Sequence, residues 1–390
     1  MIFVINSGSS SLKFKLYDAK SLKELTGGLV ERIGLDSPFL KIGEKKIEYD
    51  AVSDHKDALT KVFSAFTDAG FASSKITICG HRVVHGGEEF TEPMVITSAN
   101  LERLRTYNQL APLHNPPNLS GIDSCRALLP KAANVAVFDT AFYKTIPDHA
   151  FMYALPWEYY TKYKIRKYGF HGISHRYVTE QAAKMLGKPY KKLKLVSCHL
   201  GSGSSVTAVK NGKAFDTTMG FTPLEGLTMS TRCGDIDPAI PLYMQRTFNL
   251  SIQQVDDVMN KKSGLLGISG YKDLRDVMTA AGYKIPGYKM SAKPTADQKK
   301  RSKLAIEMFC YDVARYVGSY VTVMGGADAI IFTAGVGERS PEIRKMVMAM
   351  LKLPGNPKVL VVPTNEELMI AKEAKRALSY KAFRQSLSRT

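Results

Sequence analysis

Arg82 opens the chemistry of this chain. It lies in His81-Arg82-Val83-Val84-His85-Gly86-Gly87, just past the apolar run Ile76-Thr77-Ile78-Cys79. A guanidinium beyond a strand, followed by small apolar residues and a glycine pair, has the planar fork to hold both oxygens of a small carboxylate in a snug pocket. The competing reading is a salt-bridged surface arginine. Arg232 lies in Thr231-Arg232-Cys233-Gly234-Asp235-Ile236-Asp237-Pro238. There Asp235, Asp237 and Pro238 read as turn and cap residues that brace the loop and aim the cation inward. His171, in Tyr168-Gly169-Phe170-His171-Gly172, sits among glycines that permit close approach to a ligand. Asp139 and Glu366 each follow a strand-like run. Either they serve a divalent cation that bridges phosphates, or Asp139 caps a helix and Glu366 pairs with a helix dipole.

The elements that must position these groups are short strands ending in polar or glycine-rich loops. Val135–Phe138 runs into Asp139-Thr140, Ile330–Thr333 into Gly335-Val336-Gly337-Glu338, and Val359–Val362 into Pro363-Thr364-Asn365-Glu366. Groups placed beyond strand ends are the habit of α/β folds. The tetrapeptide Ser-Gly-Ser-Ser occurs twice, at Ser7–Ser10 and Ser202–Ser205, each time between a short apolar run and an alternating one. Such a turn lets backbone N–H groups and hydroxyls converge on an anion. Its recurrence half a chain apart suggests a duplicated fold gripping phosphate from two sides. Neither a Walker A sequence nor a protein-kinase glycine loop with its HRD is present. His81/His85 and His171/His175 are spaced by four, but Gly86 and Gly172 argue against helices there, and no HExxH follows, so zinc is disfavoured.

Helical periodicity over Asp54–Ala69 ends at Gly70, and Leu304–Met324 is apolar nearly all round, which predicts a buried helix. Asn211-Gly212 between two alternating runs predicts a two-residue hairpin. The Pro/Lys-rich stretch Ile285–Lys300 reads as a surface excursion. A boundary near Lys144 divides the chain into domains 1–144 and 145–366, with 367–390 expected to pack back on the first.

The 390 residues suffice for two cores, and 44% hydrophobic with 23% charged residues is ordinary for a globular protein. The chain opens on the strand-like Ile2–Ile5 with no basic leader, and no run approaches a membrane span. Five scattered cysteines without a CxxC fit a reducing compartment. These features predict a cytoplasmic protein with no membrane partner. The net charge of +18 comes largely from dispersed lysines. With no RNA-binding or helix-turn-helix signature beside it, nucleic acid is disfavoured as a partner against small anions.

Seven ordered motifs resemble the acetate kinases, short-chain acyl kinases of the sugar-kinase/Hsp70/actin superfamily. They are Asn6–Lys13, His81–Gly87, Pro112-Leu113-His114-Asn115-Pro116-Pro117, Phe138–Phe142, Tyr168–Gly172, Thr231–Pro238 and Pro363–Glu367. The resemblance runs nearly end to end. It implies a duplicated α/β, ribonuclease H-like fold of two domains with an interdomain cleft, and a homodimer. It implies reversible transfer of the ATP γ-phosphoryl group to acetate, giving acetyl phosphate and ADP, with Mg²⁺ or, in its place, Mn²⁺. By the resemblance Arg82 binds the carboxylate, and Arg232 and His171 contact the phosphoryl group in flight. Asp139 and Glu366 organise the cation, with Asn6 near the phosphates. Val84, Leu113, Phe170 and Pro223 line the methyl pocket, with His114 beside it. Lys13, His199, Leu200, Gly201, Ser202, Gly203, Asp273, Leu274 and Arg275 fall where the family binds nucleotide, as do Gly335, Val336, Gly337, Glu338 and Arg339.

The residues read alone agree, because phosphoryl transfer is mostly positioning and charge neutralisation, and acetate has no proton to remove. Three positions depart from the family pattern: Ser202 and Arg339, where Asn is common, and Tyr143, where His is common. The first two lie on the donor side and raise pyrophosphate as an alternative donor. Propionate or butyrate is the alternative acceptor, and Val84 favours acetate. A nucleotide-driven switch of the actin or Hsp70 type would have no use for Arg82 beside an apolar pocket.

Overall fold

The computed structural model describes residues 1–387, with side chains as far as Ser379. Its first sheet contains β1 (Ile2–Ser7), β2 (Ser11–Tyr17), β3 (Glu24–Glu31), β4 (Phe39–Ile42), β5 (Lys45–Glu48), β6 (Ile78–Val83), β7 (Met94–Val95) and β8 (Ala133–Phe138). Their order is β5-β4-β3-β2-β1-β6-β8-β7. The second contains β9 (Lys194–Leu200), β10 (Ser204–Lys210), β11 (Lys213–Thr217), β12 (Ala329–Thr333) and β13 (Lys358–Val361), in the order β11-β10-β9-β12-β13.

The two sheets repeat one plan. β1 pairs antiparallel with β2 and parallel with β6, which pairs parallel with β8. β9 pairs antiparallel with β10 and parallel with β12, which pairs parallel with β13. The two Ser-Gly-Ser-Ser segments mark the β1–β2 and β9–β10 turns, the same place in each copy.

The chain divides into two compact units: Met1–Lys144 with the chain from Asn365 onward, and Thr145–Thr364. The second unit ends two residues before the 366 boundary drawn from sequence, so Glu366 belongs to the first. The C-terminal helix Glu366–Leu387 packs there on β1, β6 and β8.

In the first unit the continuous apolar run of β1 is a central strand buried on both faces. Phe3 meets Phe63 and Phe66 of the helix His55–Asp68, and Phe14 meets Phe66, at ring separations of 5.3–5.6 Å. That helix is capped by the Asp54 side chain, which accepts from Asp57 N. In the second unit β9, β10 and β12 pack on the long helix Ala296–Met324 through Phe309, Val313, Val317 and Val321. The Asn211-Gly212 hairpin has both residues at positive φ, as a two-residue turn requires.

Three sequence expectations change. The long helix is buried on one side only, for Leu304, Met308, Tyr311 and Val323 are 40–63% exposed. Gly172 does not prevent a helix: Gly172–Leu186 starts there, with His171 as its N-cap in the left-handed region at φ 59°. The Ile285–Lys300 stretch is not wholly a surface excursion, because its first residues line a cavity described below.

Candidate functional site

In the first unit, strand register assembles the polar cluster. β1, β6 and β8 run parallel, with Ile5 beside His81 and Val83 beside Phe138. Asn6, Arg82 and Asp139 therefore emerge side by side at the C-terminal ends of neighbouring strands. Arg82 donates from Nε and Nη2 to Asp139 Oδ2 at 3.1 and 2.5 Å, and from Nη1 to Asn6 Oδ1 at 3.3 Å. Burial opposes the Arg82 charge, but the Asp139 and Glu366 carboxylates outweigh it and hold the guanidinium charged.

Asp139 is fully buried, and its Oδ1 has no hydrogen-bond partner among the described residues. Glu366 heads the C-terminal helix close by. Burial first, then the Asp139 and Glu367 carboxylates working against Arg82, push its carboxyl up to about 7. An orphaned buried carboxylate oxygen beside a second carboxyl that resists ionising is a donor set short of a cation. Oxygen ligands of this kind suit a hard divalent ion. Lys13, expected on nucleotide, pairs with Glu367 at 2.6 Å.

The backbone after β6 is held by the helix Asn115–Leu128. Val84 N donates to Asn118 Oδ1, and His85 exchanges two hydrogen bonds with the Asn115 amide. A Cβ on Gly86 would sit 2.4 Å from Phe90 O, and one on Gly87 would sit 2.0 Å from the Tyr107 ring, which explains the glycine pair. Val84 is buried, His114 stands at the N-cap position of the helix without a side-chain cap bond, and Leu113 is 59% exposed. The Leu113 side chain is thus open to solvent. His81 Nε2 donates to Asn134 Oδ1 at 2.8 Å, and burial drives both His81 and His85 down to about 4. Among the described residues no cluster of three or more His, Cys, Asp or Glu could hold a metal.

In the second unit His171 and Arg232 converge on the β9–β10 turn. A Cβ placed on Gly203 would lie 3.4 Å from the His171 ring and 3.7 Å from Arg232 Nη1. Arg232 donates to the Pro223 carbonyl at 3.3 Å and approaches Met229 Sδ at 3.9 Å. No carboxylate among the described residues pairs with it, and burial lowers its pKa. The loop is braced: Asp235 accepts from Gly226 N, Arg315 and Tyr316, and Asp237 accepts from Ala239 N. Arg232 is therefore a held cation with most of its donors unspent. Phe170, the residue before His171, is buried.

The same turn borders a cavity of about 860 Å³. Gly201, Ser202, Asp273, Leu274 and Arg275 line it, as do Gly335, Val336 and Arg339. Ser202 and Arg339 are exposed there. A Cβ on Gly335 would meet nothing within 4 Å, so its backbone faces open space. Arg275 pairs with Asp273 at 2.6 Å and lies over the Tyr288 ring at 4.8 Å. Six expected nucleotide residues, Lys13 and Gly203 among them, are not part of that lining. Leu200 is core, Gly337 packs against Phe332 and Cys198 backbone, and Glu338 accepts from Thr364 N. His199 is buried, bonded to Ser174 at 2.8 Å. Sequence reasoning missed Ile285, Tyr288 and Lys272 of the cavity. It also missed Ser197 and Ser205, whose signal was present: polar side chains in buried strands demand partners.

The Acetokinase family model matches residues 1–357. An acetate kinase of Clostridium novyi is 48% identical over 96% of this chain and 97% of its own length. The crystal structure of Porphyromonas gingivalis acetate kinase superposes with TM-score 0.85 at 37% identity, covering 97% of this chain and 99% of that one. A propionate kinase from Francisella tularensis superposes with TM-score 0.87 at 39% identity, covering 96% and 99%. With a family match over most of the chain, close similarity over nearly all of it, and the duplicated α/β fold of those structures, the chain belongs to the acetokinase family.

Proposed function

We propose that this chain transfers the γ-phosphoryl group of ATP to acetate, reversibly, giving acetyl phosphate and ADP. The observation that carries the reading is the convergence of Arg232 and His171 on the glycine turn bordering an 860 Å³ cavity. A carboxylate oxygen of acetate attacks the γ-phosphorus in line, and the bond from phosphorus to the bridging oxygen of ADP breaks. No proton needs removing, so no base is required. Charge on the equatorial oxygens is met by the desolvated Arg232 guanidinium and the His171 ring. Arg82, held charged by Asp139, takes the acetate carboxylate on the part of its fork not spent on Asp139. Val84, buried in the first unit, packs on the methyl group.

Mg²⁺, replaceable by Mn²⁺, fits the orphaned Asp139 Oδ1 and the Glu366 carboxyl, with Asn6 nearby. It would neutralise phosphate charge when bound. The open backbone at Gly335 favours a nucleotide over pyrophosphate as donor. Ser202 keeps a hydroxyl donor for phosphate.

The chain acts as a homodimer in this reading. The helix Ala239–Phe248 buries none of its residues, with Leu242, Tyr243 and Phe248 55–59% exposed, and the long helix Ala296–Met324 leaves Leu304, Met308 and Tyr311 40–63% exposed. Apolar surface of that kind marks an interface. No described helix is long and apolar enough to cross a membrane, and all five cysteines are free. The cytoplasm is the compartment this suggests.

The test is acetyl phosphate formation, trapped as the hydroxamate, from acetate and Mg²⁺ with ATP or pyrophosphate. Propionate and butyrate serve as competing acids. Product with pyrophosphate but not ATP overturns the donor, and no product from acetate with either donor overturns the function.

A further inference from the structure

We infer that a buried Ser197–His175–Ser205 relay fixes the His171 imidazole as the tautomer carrying its proton on Nε2. The inference rests on the reading of His171 as a phosphoryl contact. Ser197, His175 and Ser205 are all fully buried. Ser197 Oγ lies 2.9 Å from His175 Nδ1. His175 Nε2 lies 2.8 Å from Ser205 Oγ, which lies 2.9 Å from His171 Nδ1.

Proton accounting gives this chain a direction. Among the described residues Ser197 Oγ has no partner other than His175 Nδ1. If that hydroxyl only accepted, its own hydrogen would be buried without an acceptor, which is costly. Ser197 therefore donates to His175 Nδ1. His175 is neutral, since burial and then the neighbouring His199 hold its pKa well below the usual value. Its one proton must sit on Nε2 and be donated to Ser205 Oγ. The Ser205 hydroxyl then donates to His171 Nδ1, the remaining partner. His171 Nδ1 is an acceptor, so the ring proton is on Nε2.

The groups facing His171 favour the same state. His199 stacks on it at 4.2 Å, and Arg232 shares the Gly203 turn. An imidazolium at His171 would need Nδ1 to donate to Ser205, against the direction set by Ser197, beside the Arg232 charge. The relay thus presents a neutral N–H donor toward the turn. Ser197, His175 and Ser205 are positioning residues: none needs to touch substrate.

The test uses the full chain labelled with ¹⁵N-histidine, with the His171 signals assigned by difference from His171→Ala. Two-bond ¹H–¹⁵N spectra at pH 7.5 should show a pyridine-like Nδ1 and a pyrrole-like Nε2 at His171. Ser205→Ala cuts the relay, and Ser197→Ala removes the group that sets its direction without touching His171. Each should produce a mixture of tautomers. Each should also lower kcat about tenfold, less than full loss of one transition-state donor, with the acetate KM little changed. Ser205→Thr keeps the hydroxyl and should restore both readouts. If Ser205→Ala does not fold, Ser197→Ala carries the same test. A pyrrole-like Nδ1 or an imidazolium in the native protein overturns the inference, as does an unchanged tautomer in both alanine variants. Tautomer shifts as expected, with kcat intact in these variants and in His171→Ala, would leave the relay standing and remove His171 from the phosphoryl site.

Discussion

Glu366→Gln should stabilise the cation-free protein and at the same time weaken its use of Mg²⁺. The Glu366 carboxyl is pushed from an ordinary 4.5 up to about 7 by burial and by the Asp139 and Glu367 carboxylates. Folding is favoured by the bound proton, so this group's contribution is complete below pH 4.5. It is lost as pH rises through 7, where the folded protein must ionise a carboxyl it holds poorly. At about 1.4 kcal/mol per pKa unit the loss is at most about 3 kcal/mol. Partial solvent contact brings the working figure to roughly 1–2 kcal/mol. Glutamine removes the ionisation. In EDTA at pH 8 the variant should melt a few degrees above the native protein, and the gap should close toward pH 5. With Mg²⁺ the order should reverse, because the native site gains binding energy that a neutral amide cannot supply. Cation binding near pH 7 should also release about half a proton in the native protein and less in the variant. Calorimetry in buffers of different ionisation enthalpy reads this directly. A variant that melts lower in EDTA, with an unaltered Mg²⁺ titration, would show that Glu366 only pairs with the helix dipole.

Arg232→Ala should lower kcat by roughly 10²–10³ with an unchanged melting temperature, because the side chain is pre-placed but spends little of itself on the fold; near-native turnover removes its role. Arg82→Lys keeps a charge beside Asp139 but loses the fork. It should raise the acetate KM roughly tenfold or more while sparing that of ATP, and equal changes in both place Arg82 outside the acid site. Arg82→Ala should also cost about 3–5 kcal/mol of stability, since it leaves the buried Asp139 carboxylate unpaired, as denaturant melts will show. Val84→Ala should move the acetate-to-propionate ratio of kcat/KM toward propionate by about 1–3 kcal/mol. An unmoved ratio takes Val84 out of the methyl pocket.

What could be read from the residues was local, and what could not was register and depth. The duplicated plan was legible because each Ser-Gly-Ser-Ser turn joins the same antiparallel pair, β1–β2 in one copy and β9–β10 in the other. Asn6, Arg82 and Asp139 were each legible as strand-end groups. That they stand side by side follows from the parallel register of β1, β6 and β8, which no local pattern states. Gly335 and Gly337 look alike in sequence, yet one faces open space and the other packs on backbone. Composition misled at Ile285–Tyr288, where proline and lysine nearby suggested surface although these residues wall the cavity.

The long helix is the sharper case. An apolar stripe facing a core and an apolar stripe facing another molecule obey the same 3.6-residue period, so periodicity over Leu304–Met324 could not separate them. Only the second unit's own packing does so. It covers Phe309, Val313 and Val317 and leaves Leu304, Met308 and Tyr311 open. Replacing Met308 and Tyr311 together by Lys and Glu should therefore leave the fold intact while dissociating the proposed dimer, as sedimentation will read. A variant that unfolds instead would mean that this face belongs to the core after all.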